Sequence, residues 1–257
     1  MAEKDKTMFK KIYILWLRQL KRYSRSKSRI VGSLAQPLLF LFALGYGFGA
    51  VYQKAGEGSY IDFLTPGIVG MSIIFTSIFS GMEIIWDRQF GFLKEMMVAP
   101  MSRFEIMFGR TLGGATVATL QGAIVLAIAI LFGGSVPYSW PAVFPAILAM
   151  FLVAVLFCAM GTMVASLLND MQGFQLIMNF LIMPLFFLSG ALFPLQGIPK
   201  AISAIAAMNP LSYGIDAFRA LLINASHYGL PVDLAVLCSV TAVFIFLGSY
   251  FFSKVQI

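Results

Sequence analysis

Apolar residues fill six long runs of this chain, set apart by short polar segments: Ile30–Val51, Phe63–Ile85, Thr111–Phe132, Pro141–Leu168, Phe174–Phe193 and Leu234–Phe252. A helix rises roughly 1.5 Å per residue, so about 20 apolar residues cross a hydrocarbon core about 30 Å thick. All six runs reach that length. The pattern predicts an all-α membrane protein with six transmembrane helices, an N-terminal amphipathic interfacial helix and a re-entrant helix pair before the last span. It reads as one membrane domain, 1–257, with a cytoplasmic amphipathic helix over 1–29 and six spans over 30–252. A cytoplasmic loop occupies 86–104 and an extracytoplasmic re-entrant segment 194–226.

The shorter elements follow from local spacing. Phe9, Ile12, Tyr13, Trp16, Leu20 and Tyr23 recur at steps of three and four among Lys10, Lys11, Arg18, Lys21 and Arg22. That spacing suits a basic helix lying in the inner headgroup layer, as a topology anchor or a grip on a partner or lipid. In the loop after the second run, Asp87 is expected to cap a short helix that Pro100 ends. Phe90, Leu93, Met96 and Met97 would share its apolar face, with Lys94 and Glu95 at the sides. Ser102 and Glu105 form a capping-box pattern opening the third span. Apolar residues on such a loop need cover, from lipid headgroups or from a protein partner's cleft. Gly45, Gly47 and Gly49 in the first span, Gly113 and Gly114 in the third, and Gly161 with Ala165 in the fourth predict close helix packing. Beyond Phe193 the chain is too broken to span. Pro199 fits a first turn, Ser212 a cap, and Asp216 with Arg219 a pair three residues apart.

Charge fixes the expected orientation. The net charge is +7, and ten of the eighteen Lys and Arg precede residue 30. Arg88, Lys94, Arg103, Arg110 and Lys254 bring that side to fifteen, against Lys54, Lys200 and Arg219 opposite. By the positive-inside rule both termini and the second loop are cytoplasmic, in keeping with six spans. The placement points to a membrane surface, not to nucleic acid. Glu83, near the same end, reads as an interfacial anchor. With 60% hydrophobic and 11% charged residues, the chain falls outside the range of soluble enzymes. Its long polar N-terminus does not fit a cleavable signal peptide. Cys158 and Cys238 read as small apolar side chains rather than a disulfide pair.

Several chemistries lack their residues. No phosphate-loop pattern occurs, so ATP binding through such a site is not expected in this chain. His227 is the only histidine, which disfavours zinc catalysis or any metal site. The spans carry no arginine ladder and no run of acids. Their polar residues, Gln36, Thr76, Thr119, Gln121, Thr162 and Asn179, suit packing or a weakly selective lining.

The stretch Glu95-Met-Met-Val-Ala-Pro-Met-Ser-Arg-Phe-Glu105 resembles the loop after the second span of ABC-2-type transporter permeases. Ser189-Gly190-Ala191-Leu192-Phe193-Pro194, Ile198-Pro199 and Met208-Asn209-Pro210-Leu211-Ser212-Tyr213 are similar to that family's signature around the fifth span. The resemblance covers essentially the whole chain. It implies the membrane half of an exporter, paired as a homodimer or with a close paralogue, driven by two copies of a separate ATPase that hold ATP and magnesium. No cofactor is then expected in this chain, and its place is the plasma (inner) membrane of a prokaryote. A coupling helix over about Arg88–Ala99 would present Phe90, Phe92, Leu93, Glu95, Met96 and Met97 to the ATPase. Asn179, Phe186, Phe187, Pro194, Asn209, Pro210 and Tyr213 would lie on the path or its exit. Relatives carry drug-like amphiphiles, lipo-oligosaccharides or lipid-linked polysaccharides. The apolar fifth span with Phe186 and Phe187 favours an amphiphile. An ATP-independent channel or carrier is the remaining alternative; a lipid-modifying enzyme would need carboxylate or histidine clusters that are not in evidence.

Overall fold

The computed structural model describes residues 2–54, 59–98, 101–134 and 140–255, with backbone alone for 2–7, Met97 and Trp140. Those residues form helices α1 (Ala2–Arg25), α2 (Lys27–Lys54), α3 (Tyr60–Ser80), α4 (Met82–Gln89), α5 (Phe92–Val98) and α6 (Arg103–Leu131). They continue with α7 (Trp140–Leu167), α8 (Met171–Phe187), α9 (Lys200–Met208), α10 (Pro210–Ile223) and α11 (Leu230–Ser253), and no strand occurs among them. Pro100, the side chains of Met97 and Trp140, and the loop residues 55–58 and 135–139 lie outside the described residues.

Five of these stretches are long and apolar enough to cross a membrane, with α3 and α4 acting as one 30-residue crossing, Tyr60–Gln89. The expected all-α membrane fold is therefore what the described residues form. The fifth run differs from its expected bounds. Instead of Phe174–Phe193, the helix is Met171–Phe187, 17 residues or about 25 Å long. It stops because the Ser189 hydroxyl donates to the Phe186 carbonyl (2.6 Å) and Gly190 turns into the left-handed region at φ 76°. The apolar Ala191, Leu192 and Phe193 then fold back without helix, and Tyr60 Oη donates to the Leu192 carbonyl at 3.0 Å.

The core forms where α3, α6, α7 and α10 meet. Helices α3 and α7 approach closely at two glycines: a Cβ on Gly161 of α7 would stand 2.5 Å from the Ile78 carbonyl oxygen of α3, opposite Gly81. Small residues let the backbones touch, as expected for Gly161. In contrast, a Cβ on Gly47 or Gly49 of α2 would meet nothing within 4 Å among the described residues, and α2 and α11 stay largely uncovered.

Helix α1 also packs on protein along one side. It runs beside α6 in the same direction: Leu15 meets Gly109, Gln19 meets Gly113, Trp16 Nε1 donates to Thr116 Oγ1 (2.9 Å), and Tyr23 Oη donates to Gln121 Oε1 (3.4 Å). Ile12, Leu15 and Tyr23 are buried, while Phe9, Tyr13 and Ile14 remain exposed. Three expected helix starts also change. Asp87 lies inside α4 and is buried. Pro199 sits just outside α9, and Asn209 rather than Ser212 caps α10, with Pro210 in its first turn.

Candidate functional site

At the charged end, two carboxylates of α4 organise four arginines from three other helices. Asp87 pairs with Arg110 of α6 in a buried contact and lies 3.7 Å from Arg18 and 3.8 Å from Arg22 of α1. Glu83 is bonded by Arg29 of α2 at 2.7 Å and faces Arg22 at 3.5 Å. The Arg22 guanidinium also stands 5.8 Å from the centre of the Trp86 ring. Lys11 reaches Glu105 at 3.8 Å. α1 is thus tied to α4 and α6 by charge as well as by packing.

Next to this cluster the chain turns at Gly91, φ 79°, and enters α5. Leu93 is fully buried and fixes the helix to the core; Met96 is half-buried, its sulfur 3.2 Å from Arg18 Nη1. Phe90, Phe92, Lys94, Glu95 and Val98 point outward, with Phe90 68% and Val98 87% exposed. Of the residues expected on one contact face, Phe90, Phe92 and Glu95 are open to a partner, whereas Leu93 can only position the helix. The Ser102–Glu105 capping box is present in both directions: Ser102 N–H donates to Glu105 Oε2 (2.5 Å) and Glu105 N–H to Ser102 Oγ (3.1 Å). It fixes where α6 starts after α5.

Above the cluster, two adjoining cavities of about 390 Å³ each share Arg29 and Phe79. Together they make a crevice between α1 and α2 on one side and α3 and α4 on the other. Phe75, Phe79, Met71, Met82, Trp86 and Pro37 supply apolar wall, while Arg22, Arg29, Ser33, Gln36, Thr76 and Gln121 supply polar groups. Gln121 Oε1 accepts from Thr76 Oγ1 (2.9 Å) as well as from Tyr23, whose hydroxyl burial pushes above its ordinary range and so keeps protonated.

At the opposite end, Asp216 and Arg219 serve different partners rather than one another. The Asp216 carboxylate accepts from Ser226 Oγ (3.0 Å) and from the backbone N–H groups of His227 (2.8 Å) and Tyr228 (2.8 Å). Arg219 donates to the Gly190 carbonyl (2.7 Å) and lies 4.0 Å above the Phe63 ring. Phe63, Pro194, Asp216, Arg219, Ser226 and His227 line a cavity of about 240 Å³. A second cavity of about 490 Å³, lined by Phe48, Tyr52, Tyr60, Phe193 and Pro194, opens beside it. Asn209 holds the segment together: Nδ2 donates to the Leu185 carbonyl (2.6 Å), and Oδ1 accepts from Leu211 N–H (3.0 Å). Tyr213 Oη donates to the Ala207 carbonyl at 2.7 Å. Asn179 and Phe187 are exposed on α8, and Phe186 is buried. The residues expected along a path therefore fall into two groups, one on the face of α8 and one around the 188–228 segment.

Spacing along the chain gives no sign of the Asp87–Arg110 pair or of Arg29 on Glu83, because the partners are 23 and 54 residues apart. The visible signal is coarser: a basic stretch ending at Arg29 and two acids at the end of the second span.

Residues 10–223 match the family described as ABC-2 type transporter. The chain is 27% identical over 227 residues to Nodulation protein J of Rhizobium leguminosarum bv. viciae, covering 87% of this chain and 86% of that protein. It is 29% identical over 222 residues to "Putative transport permease ycf38" of Cyanophora paradoxa, covering 84% and 75%. The like-named protein of Porphyra purpurea is 31% identical over 211 residues, covering 78% and 69%.

Proposed function

Because the chain belongs to the ABC-2 type transporter family, we propose that it is the transmembrane permease subunit of an ATP-driven exporter, powered by a separate ATPase subunit. The observation that carries the reading is α5. It is a short helix held by buried Leu93, with Phe90, Phe92 and Glu95 turned outward and a capped junction to α6 behind it. An ATPase that closes on ATP and presses on α5 moves α4 and α6 with it, because Asp87 and Arg110 lock those two helices together. ATP and magnesium belong to the ATPase, of which two copies serve two permease chains. The uncovered faces of α2 and α8 are apolar surface suited to the second permease chain, a copy of this one or a close paralogue. The charged end lies in the cytoplasm with both termini, in the plasma membrane of a prokaryote.

The substrate is an amphiphile, drug-like or lipid-like, taken from the cytoplasm or the inner leaflet. The crevice supports this, since it joins apolar wall to polar groups at the charged end. A lipid-linked polysaccharide or lipo-oligosaccharide is the second reading, favoured by the aromatic rings of Phe48, Tyr52, Tyr60 and Phe193 around the opposite cavity, on which sugars stack.

The test is purification of the tagged chain in mild detergent from its own host. The expected result is an ATP-hydrolysing subunit in equal amount, lost on Glu95→Arg with Met96→Asp while the permease still reaches the membrane. A clean oligomer without partner, with nucleotide-independent flux in vesicles, would make the chain a channel or carrier.

A further inference from the structure

Gln121 is fully buried, and its Oε1 already accepts two hydroxyl donors, yet its Nε2 has no acceptor among the described residues. The residue lines the deeper half of the crevice. A buried donor left without an acceptor is unfavourable, so this position favours a ligand that brings a carbonyl or ether oxygen. A carbonyl is the stronger acceptor of the two.

The shallower half has the opposite imbalance. Four arginines share two carboxylates there, and Arg22 approaches neither closer than 3.5 Å. Arg22 and Arg29 both line this half and are only partly covered, with side chains 33% and 37% exposed. Their leftover donors suit a phosphate, sulfate or carboxylate. Thr76, which bonds Gln121, and Glu83, which bonds Arg29, lie seven residues apart on one crossing, about 10 Å by helical rise. Between and beside them Phe75, Phe79 and Met82 offer apolar wall.

We propose that this crevice holds one acidic amphiphile, its anionic head at Arg22 and Arg29 and an ester or amide carbonyl at the head–chain junction accepting from Gln121 Nε2, with the chain along Phe75 and Phe79. The proposal deepens the export reading, and rests on it only for whether the bound molecule is cargo or a resident membrane lipid.

Trp86 lines the crevice and serves as reporter. The full chain carrying Trp16→Phe and Trp140→Phe is reconstituted in phosphatidylcholine vesicles containing phosphatidylglycerol brominated on its acyl chain. Saturable quenching is expected, with an apparent affinity about tenfold higher than for brominated phosphatidylcholine, as one charge-assisted contact supplies. Ether-linked brominated phosphatidylglycerol, lacking the carbonyls, should bind several-fold more weakly. Gln121→Leu should erase the ester–ether difference, and Arg22→Gln the acidic–zwitterionic difference. The ester–ether comparison needs no altered crevice residue, so poor folding of a variant cannot mask the answer. Equal quenching by acidic and zwitterionic lipid, or by ester and ether lipid in the otherwise unaltered crevice, would overturn the proposal. With a co-purified ATPase, ATP-driven loss of quenching and arrival of the lipid in the other leaflet identifies cargo; unchanged quenching identifies a resident lipid. Either source upholds the site, and absence of any ATPase would remove the export reading while leaving the binding result intact.

Discussion

Asp87 bears most of the charge balance at its end of the molecule. Its side chain and that of Arg110 are 3% and 5% exposed, so each ion depends on the other for what water would have supplied. Removing one partner of such a pair costs about 3–5 kcal/mol, whereas replacing both by apolar groups costs far less. Asp87→Leu should therefore lower the thermal stability of the purified chain sharply, and Asp87→Leu with Arg110→Leu should recover much of it. A double variant as unstable as the single one would show that the pair is not the source of the loss. At this scale the sequence was legible only in outline. The signs of the charges and their common end could be read from the order of residues. That Asp87 would lie inside α4 and pair with Arg110, instead of capping a helix, depends on how α6 returns past α4, which no local spacing encodes.

Elements were legible where a physical rule acts within a few residues. The Ser102–Glu105 box is such a case, with both reciprocal bonds made. Ser102→Ala should cost about 1 kcal/mol of stability. It should also weaken transmission between α5 and α6, seen as ATPase activity that persists while transport falls; equal loss of both would argue against a transmitting role. The packing glycines were legible too, Gly161 against Ile78 and Gly113 against Gln19. Where the reading missed, a tertiary contact had intervened. Helix α8 ends at Phe187 because Ser189 and Gly190 turn the chain, and the carbonyls of Gly190 and Leu192 then accept from Arg219 and Tyr60 instead of from a helix. Helix α1 keeps the amphipathic spacing of a surface helix, and what that spacing does not tell is that Gly109 and Gly113 open a groove on α6 that receives Leu15 and Gln19. Filling that groove with Gly113→Leu should push α1 away and loosen the Arg18 and Arg22 contacts to Asp87. Increased protease access to α1 is the expected sign, and unchanged access would contradict the packing.

For the whole molecule, the proposed orientation sets the charged end inward and the 188–228 segment outward. Single cysteines at Lys200 or His227, in a background without Cys158 and Cys238, should label with an impermeant reagent from outside intact cells. Labelling from the cytoplasmic side alone would overturn the topology. The central claim is that ATP hydrolysis on another chain drives an amphiphile through this one by way of α5. Its most direct test is transport in sealed vesicles holding the permease and its co-purified ATPase, with a fluorescent acidic lipid followed from leaflet to leaflet. The account predicts movement that requires ATP and is abolished by Glu95→Arg with Met96→Asp. Movement of equal rate without nucleotide, or unaffected by those changes, would contradict it.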